Sequence, residues 1–157
     1  MKRHNPWQIL IVGAAMLSLS LPASLGTGEK PAEEKSMALR KIMREMGRNL
    51  QVITDGISRE DWKQVAKTAP LIADHPQPPW REKVRILSFI GTEARTFKGY
   101  DQQTHDAAQA MREAAERKDG PAVIAAFANV QTSCLACHEA FRDPFLKHFY
   151  GAEPRPR

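Results

Sequence analysis

The hydrophobic positions of this chain recur at steps of three and four over most of its length, which is the spacing of one face of an α-helix. No segment shows the strict apolar and polar alternation of a half-buried strand. The pattern therefore predicts an all-α fold. The apolar stripe of the first predicted helix consists of Leu39, Met43, Met46, Leu50 and Ile53.

Capping residues and prolines mark the boundaries between the predicted helices. The first helix is expected to end at Asp55 and Gly56, and Ser58 is expected to cap the second, with Asp61 at its third position. The stretch DHPQPPW at residues 74–80 predicts a loop, because proline lacks a backbone N–H and restricts the residue before it.

Two further helical segments follow this loop. The first starts at Trp80 and is expected to bend or break at Gly91 and Gly99, and the last has Pro121 in its opening turn. Helices joined by short connections predict an antiparallel four-helix bundle. The apolar stripe of the last helix consists of Val123, Phe127, Val130, Cys134, Cys137 and Phe141.

The N-terminal segment has the layout of a secretory signal peptide. Lys2 and Arg3 precede an apolar stretch over residues 9–21, and small residues follow. We expect residues 1–26 to be removed in export to the periplasm, with an uncleaved membrane anchor as the alternative. The bundle is then expected over residues 27–151, and residues 152–157 form a disordered tail.

Composition narrows the function further. The chain has 157 residues, of which 42% are hydrophobic and 26% are charged, as in a single globular domain. Without residues 1–26 it keeps 21 basic residues against 18 acidic ones, with no basic run interleaved with aromatic residues. We therefore expect no nucleic-acid partner, and contact with a membrane only if the N-terminal segment is retained. The sequence shows no pattern of paired carboxylates, an activated nucleophile or a phosphate-binding loop. We therefore expect that the protein is not an enzyme.

The candidate chemistry lies in three residues near the C-terminus, where Cys134, Cys137 and His138 occupy one face of the last predicted helix. A disulfide between the two cysteines would close a very small loop and leave the histidine unused. A thioredoxin-like redox pair needs a βαβ context, and a structural zinc site needs a fourth ligand. The pattern favours one covalently attached haem c, with Cys134 and Cys137 forming thioethers and His138 binding iron.

The segment CLACHEAFR, preceded by DGPAVIAAFANVQTS, and the methionine-rich first helix ALRKIMREMGRNL resemble the cytochrome c′ and cytochrome c-556 family of exported bacterial haem proteins. The resemblance covers roughly the whole mature chain. It implies a four-helix bundle with haem among the helices, thioethers at Cys134 and Cys137, and His138 as the proximal iron ligand. It also implies a place near the proximal side of the haem for Arg142.

The same resemblance implies that the sixth iron position is set by the first helix, at Met43, with Met46 as the second candidate. A methionine ligand gives a six-coordinate electron carrier that exchanges electrons with periplasmic redox partner proteins. A side chain that only packs over the haem leaves a five-coordinate protein that binds nitric oxide or another small gas. Family members often carry an arginine that reaches a haem propionate, usually four residues before the distal position. Leu39 holds that place here, so Arg40, which follows it, is the candidate. Members also often form homodimers, so a homodimer is possible.

The remaining conspicuous side chains are expected to have structural roles. His75 lies in the proline-rich loop and is interpreted as an ordinary loop histidine. His105 and His148 are interpreted as surface or packing residues. The larger aromatic residues are expected to pack in the core or around the haem; they are Trp62, Trp80, Phe97, Phe127 and Phe141.

Overall fold

The computed structural model describes residues 37–152, and all regular structure in that range is helical. The predicted signal peptide and the end of the predicted tail lie outside the described residues. The helices are α1 (Ala38–Ser58), α2 (Trp62–Thr68), α3 (Pro70–Ala73), α4 (Trp80–Ile90), α5 (Ala94–Glu116), α6 (Gly120–Cys137) and α7 (Asp143–Tyr150). A 3₁₀ turn, Gly91–Glu93, links α4 to α5, and a π-helical turn, His138–Arg142, links α6 to α7.

The long helices form an antiparallel four-helix bundle, as predicted. Helix α5 packs along α6 and against α2 and α3, while α1 packs against α2. At one end of the bundle, a Cβ atom added to Gly120 would lie 3.2 Å from the ring of Trp62, so the starts of α6 and α2 touch. We call this the turn end, where α1 and α5 finish and α2 and α6 begin.

Most of the buried side chains form one cluster along the bundle axis, which we call the inner cluster. Its members come from α1, α2, α3, α5 and α6, and Cys134 packs against it from α6. Burial of these apolar side chains is the main source of stability for such a bundle. Its most deeply buried large side chains are Ile53, Ile72, Met111, Val65, Val123 and Val130.

A second cluster, which we call the aromatic cluster, lies at the opposite end of the bundle. We call that end the aromatic end. Here the first turn of α1 and the start of α5 meet α4 and α7. Phe89 of α4 packs edge-on to Phe145 and Phe149 of α7, at ring-centroid distances of 6.3 and 5.4 Å. Helix α4 therefore covers the end of the bundle instead of extending α5 along its side.

Two helix boundaries differ from the predicted ones. Helix α1 continues past Gly56 to Ser58, and Asp61, not Ser58, caps α2, because the Asp61 carboxylate accepts a hydrogen bond of 3.0 Å from the Gln64 N–H. The second predicted helix is also interrupted before Pro70, which starts the short α3. Proline has no N–H to donate to the preceding turn, which explains the break.

The two glycines of the third predicted segment behave differently. Gly91 ends α4 with a φ of +58°, a conformation that glycine adopts without the steric cost of a Cβ, so the predicted break is confirmed there. Helix α5 runs through Gly99 without interruption, so the helix does not break at this residue. A Cβ at Gly99 would meet no atom within 4 Å.

The π-helical turn between α6 and α7 coincides with a proline. Pro144 cannot donate a hydrogen bond to the carbonyl of Ala140, which an uninterrupted α-helix would require. A wider turn before Pro144 lets the helical chain continue without that bond. The turn begins at His138, so it lies directly after the two cysteines.

The segment from Gly120 to Tyr150 is one continuous helical stretch of 31 residues, with a mean hydropathy of 1.3 in its most apolar window. By length and composition it is the one described helix that could cross a membrane. A core helix of a water-soluble bundle has the same properties, and α6 packs along α5. This feature alone is therefore weak evidence for a membrane span.

Candidate cofactor site

The two cysteines lie in the last turn of α6, where the helix leaves the inner cluster and approaches the aromatic end. Both side chains are half-buried, and the cysteines are not joined in a disulfide. Cys134 packs against the inner cluster, while Cys137 lies one turn further along the helix. The thiols therefore lie at the end of α6 that is nearer the aromatic end, and the protein covers each of them only in part.

Burial changes the acidity of both thiols. It raises the pKa of Cys134, and it raises the pKa of Cys137 to about 11, with smaller contributions from Cys134 and from the carboxylate of Asp101. Both thiols are consequently protonated near neutral pH. Thiol–disulfide exchange and zinc binding use the thiolate, so this environment disfavours both of the alternatives that depend on it.

A buried pair of hydroxyl groups lies directly behind Cys134. Thr104 Oγ1 of α5 and Ser133 Oγ of α6 are 2.8 Å apart, close enough for one to donate a hydrogen bond to the other. The Thr104 hydroxyl also interacts with the Cys134 thiol and offsets part of the rise in its pKa. This pair fixes the position of α6 relative to α5 next to the first cysteine. Thr104 lies on the apolar stripe that contains Ala108 and Met111, and a threonine in that position is the sequence signal for this pair.

His138 is the first residue of the π-helical turn. It is exposed at the protein surface, yet the surrounding protein removes enough water to lower the pKa of its imidazole, and the positive charge of Arg142 lowers it further. The imidazole is therefore neutral at pH 7, which is the form that binds a metal ion. Arg142 lies one turn later, with its Nη1 3.7 Å from a carboxylate oxygen of Asp143.

Met43 and Met46 lie one turn apart on α1 but in different environments. Met46 belongs to the inner cluster and is only 8% exposed, whereas Met43 lies at the edge of the buried stripe and is 39% exposed. Because α1 and α6 run in opposite directions, Met43 is nearer the aromatic end than Met46, just as His138 is nearer that end than Cys134.

Arg40 lies at the aromatic end, one turn before Met43. Its guanidinium carbon is 5.3 Å from the ring centroid of Tyr150, at the end of α7. This cation–π contact links the start of α1 to the helix that follows the cysteines. The Tyr150 hydroxyl is buried and has no hydrogen-bond partner among the described residues.

The described part of the chain also contains a histidine–aspartate pair that the sequence analysis did not identify. His75 Nε2 in the proline-rich loop lies 2.9 Å from Asp101 Oδ1 on α5, and His75 Nδ1 lies 3.1 Å from the Pro76 carbonyl oxygen. The hydrogen bond from His75 lowers the pKa of Asp101, and the same bond raises the pKa of His75. The pair ties the loop to α5. No group of three or more His, Cys, Asp and Glu side chains that could hold a metal ion occurs within residues 37–152.

The aromatic side chains that were expected to pack in the core or around the haem lie in different environments. Trp80 was expected to pack in the core or near the haem, but its side chain is 75% exposed at the start of α4, so that expectation is wrong. Phe97 and Phe141 do pack together, edge-on, with ring centroids 5.4 Å apart. Phe141 belongs to the π-helical turn, so the aromatic cluster reaches the turn that contains His138.

These observations fit a covalently attached haem c. Two thiols one turn apart, with an imidazole beside the second, form the donor set that thioether attachment and axial iron ligation require. The half-buried cysteines and the 39% exposed Met43 leave apolar surface that a porphyrin would cover.

The fold and this donor set define the class of helical c-type cytochromes. A family model described as Cytochrome C′ matches residues 33–142, so the chain belongs to the cytochrome c′ family and is a haem protein. Proteins of this family carry covalently bound haem c, are generally periplasmic, and act as electron carriers or gas binders. No curated protein and no solved structure matches the chain.

Proposed function

We propose that this protein is a periplasmic one-electron carrier with a single haem c, attached through Cys134 and Cys137 and ligated by His138 and Met43. Haem iron supplies a one-electron couple when it is bound. A histidine–methionine ligand pair leaves no open iron position for a substrate, which suits electron transfer and not catalysis.

The observation that carries this proposal is the placement of Met43. Its side chain is 39% exposed and is not used in the core, whereas Met46 is already packed in the inner cluster. A methionine at the edge of the core is free to turn toward a metal without opening a cavity. Met46 would have to leave a filled site, which costs about 2 to 5 kcal/mol for a buried methionine.

The surrounding residues have supporting roles in this proposal. Arg142 helps to keep the His138 imidazole neutral and ready to bind iron. Arg40, held over Tyr150, is placed at the aromatic end, where it would pair with a haem propionate. Phe97 packs edge-on against Phe141 of the π-helical turn and would form part of the apolar surroundings of the haem.

Optical spectra of the exported protein, prepared with c-type maturation factors, test the proposal. We expect a low-spin spectrum in the ferric and ferrous forms that carbon monoxide does not change. A high-spin spectrum that shifts when carbon monoxide is added would contradict methionine ligation and would support the gas-binding alternative.

A further inference from the structure

The outer face of α4 combines exposed aromatic and basic side chains. Trp80 and Val84 lie one turn apart and are 75% and 41% exposed, and Arg81 and Arg85 form the neighbouring stripe, also exposed. The opposite side of the helix is used in packing, because Ile86 and Ile90 belong to the aromatic cluster. A large aromatic side chain left in solvent beside two arginines is unusual in an otherwise ordinary protein surface and is the composition found at the centre of protein interfaces.

Basic residues are concentrated at this end of the bundle. Residues 37–48 and 80–98, which form the start of α1, all of α4 and the start of α5, contain nine Lys and Arg residues against three Asp and Glu residues. One of those three carboxylates, that of Glu82, is occupied by the backbone N–H groups of Ala38 and Leu39. At the turn end, residues 49–68 and 106–125 are balanced, with six basic against seven acidic residues.

Two of the arginines are held in place by aromatic rings. The guanidinium carbon of Arg85 lies 5.4 Å from the ring centroid of Phe149, and that of Arg40 lies 5.3 Å from the ring centroid of Tyr150. Charges held over neighbouring rings of α7 lose less conformational freedom when a partner binds than free surface arginines would.

We propose that this α4 face, defined by Trp80, Arg81, Val84 and Arg85, docks an acidic protein that exchanges electrons with the haem. The proposal rests on the electron-carrier function proposed above. The face is joined to the site by the aromatic cluster, which extends from Phe89 to Phe141 in the π-helical turn. A positive docking surface attracts an acidic partner over a distance and accelerates encounter, and Trp80 supplies the desolvated contact that holds the complex.

The dimensions of the face favour a protein partner over a membrane surface. Only two apolar side chains point outward from α4, and the next position of their stripe, Ser88, is polar. A helix that lies in a lipid interface needs a broad apolar face, which α4 uses for packing against the bundle. A second copy of the chain would present the same positive charge and be repelled.

The charge of the face is tested by binding of two acidic polymers to the ferric haem-loaded protein at low ionic strength. Poly-L-glutamate and a random copolymer of glutamate and tyrosine serve as probes. R81E/R85E is expected to weaken binding of both by about tenfold. The matched control K63E/K67E reverses two exposed lysines with the same spacing on α2 and is expected to leave binding unchanged. Equal losses in both variants would overturn the proposal, since the attraction would then come from net charge alone.

The aromatic contact is tested by Trp80→Ala. This change is expected to weaken binding of the glutamate–tyrosine copolymer several-fold and to leave poly-L-glutamate binding unchanged, because only the copolymer offers a ring to Trp80. Vesicles of phosphatidylcholine and phosphatidylglycerol form the other arm. Sedimentation of the wild-type protein with them, lost in W80A and in R81E/R85E, would overturn the proposal in favour of a membrane. A binding loss with unchanged circular dichroism excludes misfolding, and R81Q/R85Q replaces R81E/R85E if that variant does not fold.

The electron route is tested by stopped-flow oxidation of the ferrous protein with hexacyanoferrate(III), a small anionic oxidant. We expect R81E/R85E to slow this reaction several-fold at low ionic strength and K63E/K67E not to slow it. Equal rates in the two variants would overturn the assignment of this face to electron exchange. The optical spectrum reports iron ligation separately, so a failure of the carrier function and a failure of the docking surface can be told apart.

Discussion

The Oε1 atom of Glu82 lies 2.8 Å from the backbone nitrogen of Leu39, across 43 positions of sequence. The Oε2 atom of the same carboxylate accepts a hydrogen bond of 2.9 Å from the Ala38 N–H. Glu82 thus caps α1 from α4, in place of a residue on α1 itself, since Met37 at the N-cap position makes no side-chain hydrogen bond there. The carboxylate satisfies two N–H groups that have no partner within the helix and places a negative charge at the positive end of its dipole.

Removal of this cap is expected to destabilise the start of α1. Glu82→Ala should lower the free energy of unfolding by about 1 to 2 kcal/mol, and Glu82→Gln by less, because its amide keeps one acceptor oxygen. Denaturant unfolding followed by circular dichroism measures this. Glu93→Ala, at an exposed carboxylate without a side-chain cap bond, is the control. Equal stability of E82A and E93A would show that the cross-helix cap contributes nothing.

Replacement of Met43 is expected to change the spin state of the haem iron. Met43→Ala should convert a low-spin ferric spectrum to a high-spin one and allow carbon monoxide to bind the ferrous form, because the sixth ligand is removed. Met46→Ala should keep the low-spin spectrum while lowering the free energy of unfolding by about 2 to 5 kcal/mol, because it leaves a cavity in the inner cluster. A low-spin M43A together with a high-spin M46A would reverse the assignment of the two methionines.

Each cysteine is expected to contribute one covalent bond to the haem. Cys134→Ser and Cys137→Ser should each give a haemochrome spectrum with one unreacted vinyl group, and the double variant should release its haem under denaturing conditions. Mass spectrometry of the denatured proteins checks the covalent bonds. Ser133→Ala changes the neighbouring buried hydroxyl without touching a thiol and should retain both attachments. Covalent haem in the double serine variant would contradict the attachment sites.

The His75–Asp101 pair is expected to make stability depend on pH. The raised pKa of His75, caused mainly by its hydrogen bond to Asp101, means that its contribution is complete below the ordinary histidine pKa of 6.5 and is lost as pH rises through the raised value. The lowered pKa of Asp101 means that its own contribution is present above the ordinary value of 3.8 and is lost as pH falls through the lowered one. The pair therefore stabilises the loop most between these two limits.

Asp101→Asn tests this dependence without changing the shape of the side chain. We expect the variant to be less stable than wild type by about 1 kcal/mol near pH 5.5, a modest value because the Asp101 carboxylate is exposed to solvent. The difference should shrink as pH rises through the raised pKa of His75, because the imidazole then loses its charge. Asp106→Asn, on the exposed side of the same helix, should show no such trend. A difference between D101N and wild type that is constant with pH would contradict the charged pair.

The helical pattern was sufficient to predict the fold class because the apolar stripes of four segments are continuous. It also placed Cys134, Cys137 and His138 on one helix, since their spacing matches the helical repeat. It could not show that α4 separates from α5 and covers the end of the bundle. Periodicity identifies the inward side of a helix but not its neighbour, so Trp80, at the edge of its stripe, was wrongly expected to be packed.

The hydrophobic pattern could not predict the π-helical turn either. The stripe through Phe141 continues at helical spacing across the turn, so only Pro144 signalled a disturbance. Similarly, Asp61 and Ser58 are both good capping residues, and only the path of the chain decides which one caps α2. Long-range contacts such as Glu82 with α1 have no local signature at all.

The extra residue in the π-helical turn sets the rotational phase between the two parts of the C-terminal helix. If residues 138–142 wound as an ordinary α-helix with the same number of residues, every later side chain would rotate by about 100°. Phe145 and Phe149 would then turn away from Phe89, while the thiols upstream kept their positions. The end of α6, which carries the thiols, and α7, which carries the aromatic residues, are therefore oriented independently. The sequence of either segment can change without rotating the other, as long as the length of the turn is preserved.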